Sequence, residues 1–112
     1  MCTKSELNII SNEIADEAKA ILGDLLEAVV LYGSYARGDY DDESDIDMMI
    51  RINCPREQLN SFKQEFIRLA SECSLKYGVE VSLSLADTAT YNRYKKHLPY
   101  YENIESEGIK IA

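Results

Sequence analysis

Two short apolar runs separated by a polar segment constrain the fold of this chain more than any other feature. Residues 28–32 are apolar and rich in β-branched types, and Ile46–Ile52 forms a second run of the same kind. Runs of this length, bounded by turn residues, predict buried strands. The segment between them, residues 34–44, is polar and contains glycine and aspartate pairs that are typical of turns. The sequence therefore predicts two strands joined by an exposed loop.

Hydrophobic periodicity elsewhere in the chain predicts the rest of an α-β-β-α-β-α order. The further elements are a helix over 4–22, a long helix from Pro55 to a stop at Gly78, a strand over 79–84 and a helix near 88–97. Thr3 and Glu6 have the spacing of a capping box at the first helix, and Asp87 can cap the last one. Pro99 interrupts that last helix, and residues 100–112 are assigned no element.

This order predicts the α+β class, with a small mixed or antiparallel sheet of about three to four strands packed with helices. The helices are expected on one face of the sheet. A chain of 112 residues has the length of one small domain, so a single domain over 1–112 is predicted.

Charge and composition exclude several classes of function. The chain has 12 Lys+Arg against 20 Asp+Glu, and the resulting net charge of −8 argues against direct nucleic-acid binding, which needs a basic face. No apolar run approaches the roughly 18 residues needed to span a bilayer, so no membrane partner is expected. Cys2, Cys54 and Cys73 lack the spacing of a disulfide framework or a zinc site. With no signal-peptide pattern at the N-terminus, a cytoplasmic location is expected.

A dense acidic cluster gives the first indication of a metal. Its members are Asp39, Asp41, Asp42, Glu43, Asp45 and Asp47. Such a cluster repels itself unless a cation is near. Asp45 and Asp47 are two apart at the start of a predicted strand, so their side chains share one face. A carboxylate pair of this kind suits magnesium, a hard ion that also binds substrate phosphate oxygens.

The acidic segment has two other interpretations. One is a solvated loop without a ligand. The other is an EF-hand calcium loop, because acids alternate from Asp39 onward. The calcium loop fails at two places, since Ser44 stands where the loop needs glycine and Ile50 stands where it needs glutamate.

Gly33 and Ser34 lie where the first predicted strand ends, and they suit the binding of phosphate. A glycine lets the backbone approach an anion without a Cβ in the way. The Ser34 hydroxyl and the backbone N–H groups that follow can donate to phosphate oxygens, more so if a short helix starts there. Arg37 can neutralise a phosphate or pair with the acids of 39–43, and Gly38 closes the loop.

These residues together resemble a known signature. Gly33-Ser34-Tyr35-Ala36-Arg37-Gly38 followed by Ser44-Asp45-Ile46-Asp47 is similar to the motif of the DNA polymerase β-like nucleotidyltransferases, above all the small stand-alone members called minimal nucleotidyltransferases. The resemblance implies that Gly33 and Ser34 hold the phosphates of a nucleoside triphosphate. Arg37 and Ser44 are predicted to join them in nucleotide binding, and Ser44 either orients Asp45 by hydrogen bonding or serves in a turn. It implies that Asp45 and Asp47 bind two Mg²⁺ ions, with Mn²⁺ as an alternative.

The resemblance also implies a third carboxylate on the strand after the long helix. Members of the family often have Val-Asp-Leu there, and that alignment places Ser82 at the acid. Glu80 shares the face of Ser82 on an extended strand and is the predicted substitute, both as metal ligand and as catalytic residue. If Glu80 does not serve, the site has two carboxylates and no base.

Two functions follow from the resemblance. In the first, the chain is a nucleotidyltransferase that moves a nucleoside monophosphate, AMP by preference, from ATP or another NTP to a hydroxyl acceptor. That acceptor can lie on a HEPN-type partner protein. In the second, the chain is a catalytically weak, antitoxin-like subunit that masks such a partner. A homodimer is a further arrangement that the sequence leaves open.

The C-terminal third carries a cluster of basic residues and four tyrosines. The basic cluster has two interpretations, a solvated helix face or a group that approaches a triphosphate. Its members are Arg93, Lys95, Lys96 and His97. The tyrosines stack on a nucleobase or serve in packing, and packing is the preferred interpretation for Tyr91, Tyr94, Tyr100 and Tyr101.

Overall fold

The computed structural model describes residues 3–112, which form four strands and five α-helices. In chain order these are α1 (Lys4–Leu22), β1 (Leu26–Tyr32), α2 (Ser34–Arg37), β2 (Ile46–Ile52), α3 (Leu59–Tyr77), β3 (Val81–Asp87), α4 (Thr88–Tyr94), α5 (Pro99–Glu107) and β4 (Ile109–Lys110). Short 3₁₀ turns at Gly23–Leu25 and Arg56–Gln58 precede β1 and α3.

The four strands form one mixed sheet in the order β3-β2-β1-β4. β1 runs antiparallel to both β2 and β4, whereas β2 and β3 are parallel. The parallel pair follows from its connection, because α3 carries the chain back across the sheet between the two strands. The predicted mixed sheet of an α+β fold is thus confirmed, and β4 adds a strand in a segment to which no element was assigned.

The two faces of the sheet are covered by different helices. Ile46, Met48 and Ile50 of β2 point into a core formed with α1 and α3. Met49 points the other way, into a smaller core with Tyr91 of α4 and Ile104 of α5. The expectation of helices on one face was therefore wrong. Because β2 lies inside the sheet, both sets of its alternating side chains need a cover.

Element boundaries agree with the sequence for α1 and β2. The first strand starts earlier than predicted, at Leu26, the long helix begins at Leu59 rather than at Pro55, and β3 spans Val81–Asp87 rather than 79–84. The capping box of α1 is present, with the Glu6 N–H donating to Thr3 Oγ1 at 3.1 Å. Asp87 caps α4 by accepting from the Thr90 N–H at 2.9 Å. The helix predicted near 88–97 ends at Tyr94, and the segment after it contains α5. Pro99 does not end a helix but begins one, since proline suits the first helical turn.

Within residues 3–112, no helix combines the length and apolar character that a membrane span requires. Over the same residues the thiols of Cys54 and Cys73 are free, while Cys2 lies outside the described residues. The two described cysteines are therefore not paired in a disulfide, in line with the sequence.

One polar junction joins α1 to α3. Glu13 on α1 accepts hydrogen bonds from Lys76 Nζ at 2.8 Å and from the Tyr77 hydroxyl at 2.9 Å, and the Cys73 thiol contacts its second oxygen at 3.4 Å. These donors stabilise the charged carboxylate. The hydrogen bonds from Lys76 and then Tyr77 lower the pKa of Glu13 below its ordinary value of 4.5, while burial opposes them.

Replacing Glu13 with Gln is expected to destabilise the fold by roughly 0.5–1.5 kcal/mol, because the charge-assisted bonds are lost. The stabilisation is complete above the ordinary carboxyl pKa of 4.5 and is lost as the pH falls through the lower folded-state value. Chemical denaturation of wild type and Glu13→Gln between neutral pH and pH 3 should therefore show the two stabilities converging on acidification. Glu17→Gln, on the exposed side of the same helix, is the matched control. A constant difference across the pH range would contradict this assignment.

Candidate active site

The turn at Gly33 lies directly against the carboxylate of Asp47. Strand β1 ends at Tyr32, which pairs with Asp47 on β2, so the next residue reaches the Asp47 side chain. Gly33 has φ 77° and ψ −158°, and a Cβ added there would lie 2.7 Å from Oδ2 of Asp47. Both the positive φ and this close approach require glycine. The predicted phosphate-binding turn and the predicted acidic pair are therefore one site.

Helix α2 starts at Ser34, which meets the condition that strengthens donation to a phosphate at this turn. The N–H groups of Ala36 and Arg37 donate to the Gly33 carbonyl at 3.1 Å, which turns that carbonyl into the helix. Gly38 ends the helix in the left-handed conformation with φ 86°. Ser34 is half-buried at the start of this turn, where its hydroxyl and amide can donate to an anion.

Asp45 and Asp47 lie close enough to affect each other. Asp45 is exposed, whereas Asp47 is partly buried. Burial raises the pKa of the Asp47 carboxyl, the charge of Asp45 raises it further, and the Arg37 guanidinium lowers it. Two neighbouring carboxylates with this mutual repulsion are a donor set that fits a hard divalent cation, which relieves the repulsion.

Arg37 is held between two acids at the edge of the site. Its Nε donates to Asp39 at 3.1 Å and its Nη1 to Glu107 of α5 at 3.4 Å. Of the two roles predicted for Arg37, pairing with the acids of 39–43 is therefore seen in Asp39. Glu107 was not anticipated, because residues 100–112 were assigned no element.

Ser44 takes part in a turn. Its hydroxyl accepts from the Asp41 N–H at 2.9 Å and donates to the Asp41 carboxylate at 3.2 Å. Asp41 also accepts from the Glu43 N–H at 2.9 Å. Ser44 thus fixes the loop that leads into Asp45. Its contact with a nucleotide stays a prediction.

Glu80 lies just before β3 and lines a cavity of about 160 Å³ together with Asp45. Its backbone carbonyl accepts from the Ile46 N–H at 2.9 Å, and Glu80 is exposed. Ser82, two residues on, pairs directly with Asp47 in the parallel register. Among residues 3–112 no three acidic, histidine or cysteine side chains are grouped so that they could hold a metal ion. The structure therefore does not bring Glu80 together with both aspartates, and its role as third acid stays a prediction.

A cluster of three hydroxyls next to Asp47 was missed by sequence reasoning. Tyr32 and Tyr100 place their hydroxyl oxygens 3.0 Å apart, and Ser84 Oγ lies 3.3 Å from Tyr100 and 3.5 Å from Tyr32. Burial raises the pKa of Tyr32 strongly, with smaller contributions from Tyr100 and Asp47, while Ser84 opposes the shift. The signal that could have located this cluster is Pro99, which marks the start of the helix that carries Tyr100.

Helix α5 also closes a cavity beside the glycine turn. The cavity has a volume of about 210 Å³. It is lined by Tyr32, Gly33, Arg37, Tyr100, Asn103, Ile104 and Glu107. One wall is thus the predicted phosphate-binding turn and the other is the C-terminal helix.

Comparisons with known proteins agree with this geometry. A family model described as a nucleotidyltransferase domain matches residues 11–111. "Putative protein adenylyltransferase MJ0141" of Methanocaldococcus jannaschii is 35% identical over 108 residues, which are 95% of this chain and 99% of the relative.

Two solved structures share the fold. A crystal structure of "a putative nucleotidyltransferase from Sulfolobus solfataricus" has a TM-score of 0.60 at 24% identity, over 92% of this chain and 77% of that one. A chain in the structure of a tri-AMPylated Shewanella oneidensis HEPN toxin in complex with MNT antitoxin has a TM-score of 0.52 at 15% identity, over 93% and 70%. At these identities the likeness concerns the fold alone.

The family match includes both Gly33-Ser34 and the aspartates at 45 and 47, the residues on which the resemblance in sequence depends. The Methanocaldococcus relative extends the same match over nearly the whole chain. The chain therefore belongs to the nucleotidyltransferase family and is a transferase of phosphorus-containing groups.

Proposed function

We propose that this chain is a magnesium-dependent adenylyltransferase that moves AMP from ATP to a hydroxyl group on a partner protein. The observation that carries the proposal is the contact between the Gly33 turn and the Asp47 carboxylate. A phosphate bound at the turn lies beside the acidic pair, so one ligand can engage both. Phosphoryl-transfer catalysis depends mainly on such positioning and charge stabilisation.

Each residue of the site has a proposed role. Gly33 and Ser34 hold the triphosphate, and Arg37 turns from Asp39 and Glu107 toward its negative charge. Asp45 and Asp47 hold Mg²⁺, with two ions in the full site and Mn²⁺ as a substitute. The metal neutralises charge that develops on the phosphate oxygens. Ser44 keeps Asp45 in place through its bonds to Asp41.

Named relatives support the adenylyl group and a protein acceptor. The Methanocaldococcus relative carries the name of a protein adenylyltransferase, and one structural neighbour comes from a complex with an AMPylated HEPN toxin. We therefore propose ATP as the donor and a HEPN-type protein as the partner, with the cytosol as the place of action. A homodimer is compatible with this proposal and is tested by the mass of the purified protein in solution.

A second candidate function is an antitoxin-like subunit that masks a partner and turns over slowly. One observation favours it. Ser82 rather than an acid stands opposite Asp47, and Glu80 is not grouped with both aspartates. A base that accepts the proton of the acceptor hydroxyl contributes about 10²–10⁴-fold to a rate, so its loss would slow turnover without preventing binding.

The proposed function is tested by mixing the chain with α-labelled ATP, Mg²⁺ and a co-purified partner. Transfer of label to protein is expected, and Asp47→Asn should lower the rate about a hundredfold or more because a metal carboxylate is lost. Asp16→Asn, an exposed acid on α1, is the matched control and should behave as wild type. Equal rates for Asp47→Asn and wild type would refute the proposal. Binding of a partner without any transfer would favour the second function.

Gly33→Ala is expected to weaken ATP binding by about tenfold or more, because its Cβ would meet Asp47 Oδ2 at 2.7 Å and displace that carboxylate. Gly23→Ala is the matched control. Gly23 also has a positive φ, of 57°, but a Cβ there meets nothing within 4 Å. Both variants carry backbone strain of about 1–3 kcal/mol, because both glycines adopt conformations that other residues rarely occupy. Calorimetric titration with a non-hydrolysable ATP analogue and Mg²⁺ separates them, and equal affinities would show that the close approach is unimportant.

Two substitutions, one at Ser82 in β3 and one at Glu80 just before it, decide which residue completes the site. If the position of Ser82 is where an acid acts, Ser82→Asp should raise the rate of transfer by about tenfold or more, because a carboxylate then faces Asp47. If Glu80 already serves, Glu80→Gln should lower the rate by a similar factor and Ser82→Asp should gain little. Steady-state rates of both variants with one acceptor distinguish the alternatives. Glu57→Gln, an exposed acid ahead of α3, is the control.

A further inference from the structure

Tyr100 presents an accessible hydroxyl beside the proposed ATP site. It lies on α5 and lines the same 210 Å³ cavity as Gly33 and Arg37. Its side chain remains 47% exposed. Tyr100 therefore carries a hydroxyl group, which is the kind of acceptor that the proposed reaction uses. It lies beside the turn where the triphosphate is expected.

The hydrogen bonds of Tyr100 fix its hydroxyl against those of Tyr32 and Ser84. Its oxygen lies 3.0 Å from that of Tyr32, whose strand position faces Asp47. It also lies 3.3 Å from Ser84 Oγ. The ring makes edge contacts with Tyr32 and Tyr101 at centroid distances of 5.9 and 5.4 Å, which restrict its rotation. The hydroxyl is thus both exposed and oriented.

We propose that Tyr100 is an acceptor in its own right and that the chain adenylylates this tyrosine within the same molecule. The inference rests on the proposed adenylyl transfer from ATP. The Tyr100 oxygen attacks the α-phosphorus and forms a phosphodiester bond to tyrosine. The bond from the α-phosphorus to the bridging oxygen breaks, pyrophosphate leaves with the electron pair, and the phenol proton passes to solvent.

Other tyrosines meet these requirements less well. Tyr32 is partly buried, and burial raises its pKa far above the ordinary value, so its hydroxyl resists deprotonation. Tyr94 is 37% exposed, comparable to Tyr100, but lies on α4 and lines none of the cavity at Gly33. Tyr94 therefore carries the same phenol hydroxyl but does not line the cavity at Gly33. Comparing Tyr94 with Tyr100 tests whether location beside the proposed ATP site decides which tyrosine is modified.

The test uses the full chain with ATP and Mg²⁺ and no partner protein, followed by intact-mass measurement. A gain of one adenylyl group is expected, and peptide sequencing should place it on Tyr100. Tyr100→Phe should reduce the modified fraction about tenfold or more, because the ring contacts are kept and only the nucleophile is removed. Tyr94→Phe is the matched control and should be modified as fully as wild type. Modification at any other residue would overturn the assignment.

Two further measurements separate this inference from the proposed function. Pyrophosphate release and label transfer to a co-purified partner are followed in the same reaction. Transfer to the partner without label on Tyr100 overturns the self-modification and leaves the proposed function intact, whereas no label on any protein overturns both.

A tagged Asp47→Asn chain mixed with wild type tests whether the adenylyl group moves within one molecule or between two. Label on the tagged chain would mean transfer between molecules and would refute transfer within one molecule.

Discussion

The close approach of the Asp47 carboxylate to the Gly33 backbone, which leaves no room for a Cβ, is the constraint on which the rest of the site depends. It exists because Tyr32 and Asp47 are paired across β1 and β2, and because the residue after Tyr32 has no Cβ. The same pairing that builds the sheet therefore brings the proposed phosphate-binding turn onto the proposed metal-binding acid. Burial at this junction also raises the pKa of Asp47, which makes a neighbouring cation more favourable to the carboxylate pair.

The second core of the protein brings the C-terminal helix to this junction. Arg51 on β2 lies over the ring of Tyr91 with its guanidinium carbon 4.4 Å from the centroid, and the Tyr91 hydroxyl donates to Glu105 of α5. Burial, followed by the contact with Glu105, raises the pKa of Tyr91 to about 12, so the donor stays protonated. This chain of contacts fixes α5 on the face of the sheet that carries Asp47. Packing far from the site thus decides where Tyr100 and Glu107 lie.

Arg37 is a cation that lies among several acids at the edge of the proposed site. It pairs with Asp39 and Glu107, and its charge also reaches Asp47. The Arg37 contacts are exposed, and exposed ion pairs are individually weak because solvent screens them. An incoming triphosphate can therefore compete for the guanidinium at small cost. The ion pair between Arg37 and Glu107 thus links the proposed phosphate-binding turn to α5.

The sequence by itself determined the local parts of this protein. The apolar run at residues 46–52, the Thr3–Glu6 capping box and the motif from Gly33 to Asp47 are short-range patterns, and they predicted β2, α1 and the family. Only the tertiary structure decided which residues face Asp47 from a distance. The register of β3 pairs Ser82 with Asp47, and the docking of α5 places Tyr100 against Tyr32, the cross-strand partner of Asp47. Register and helix docking depend on contacts between residues far apart in the chain, which local periodicity does not encode.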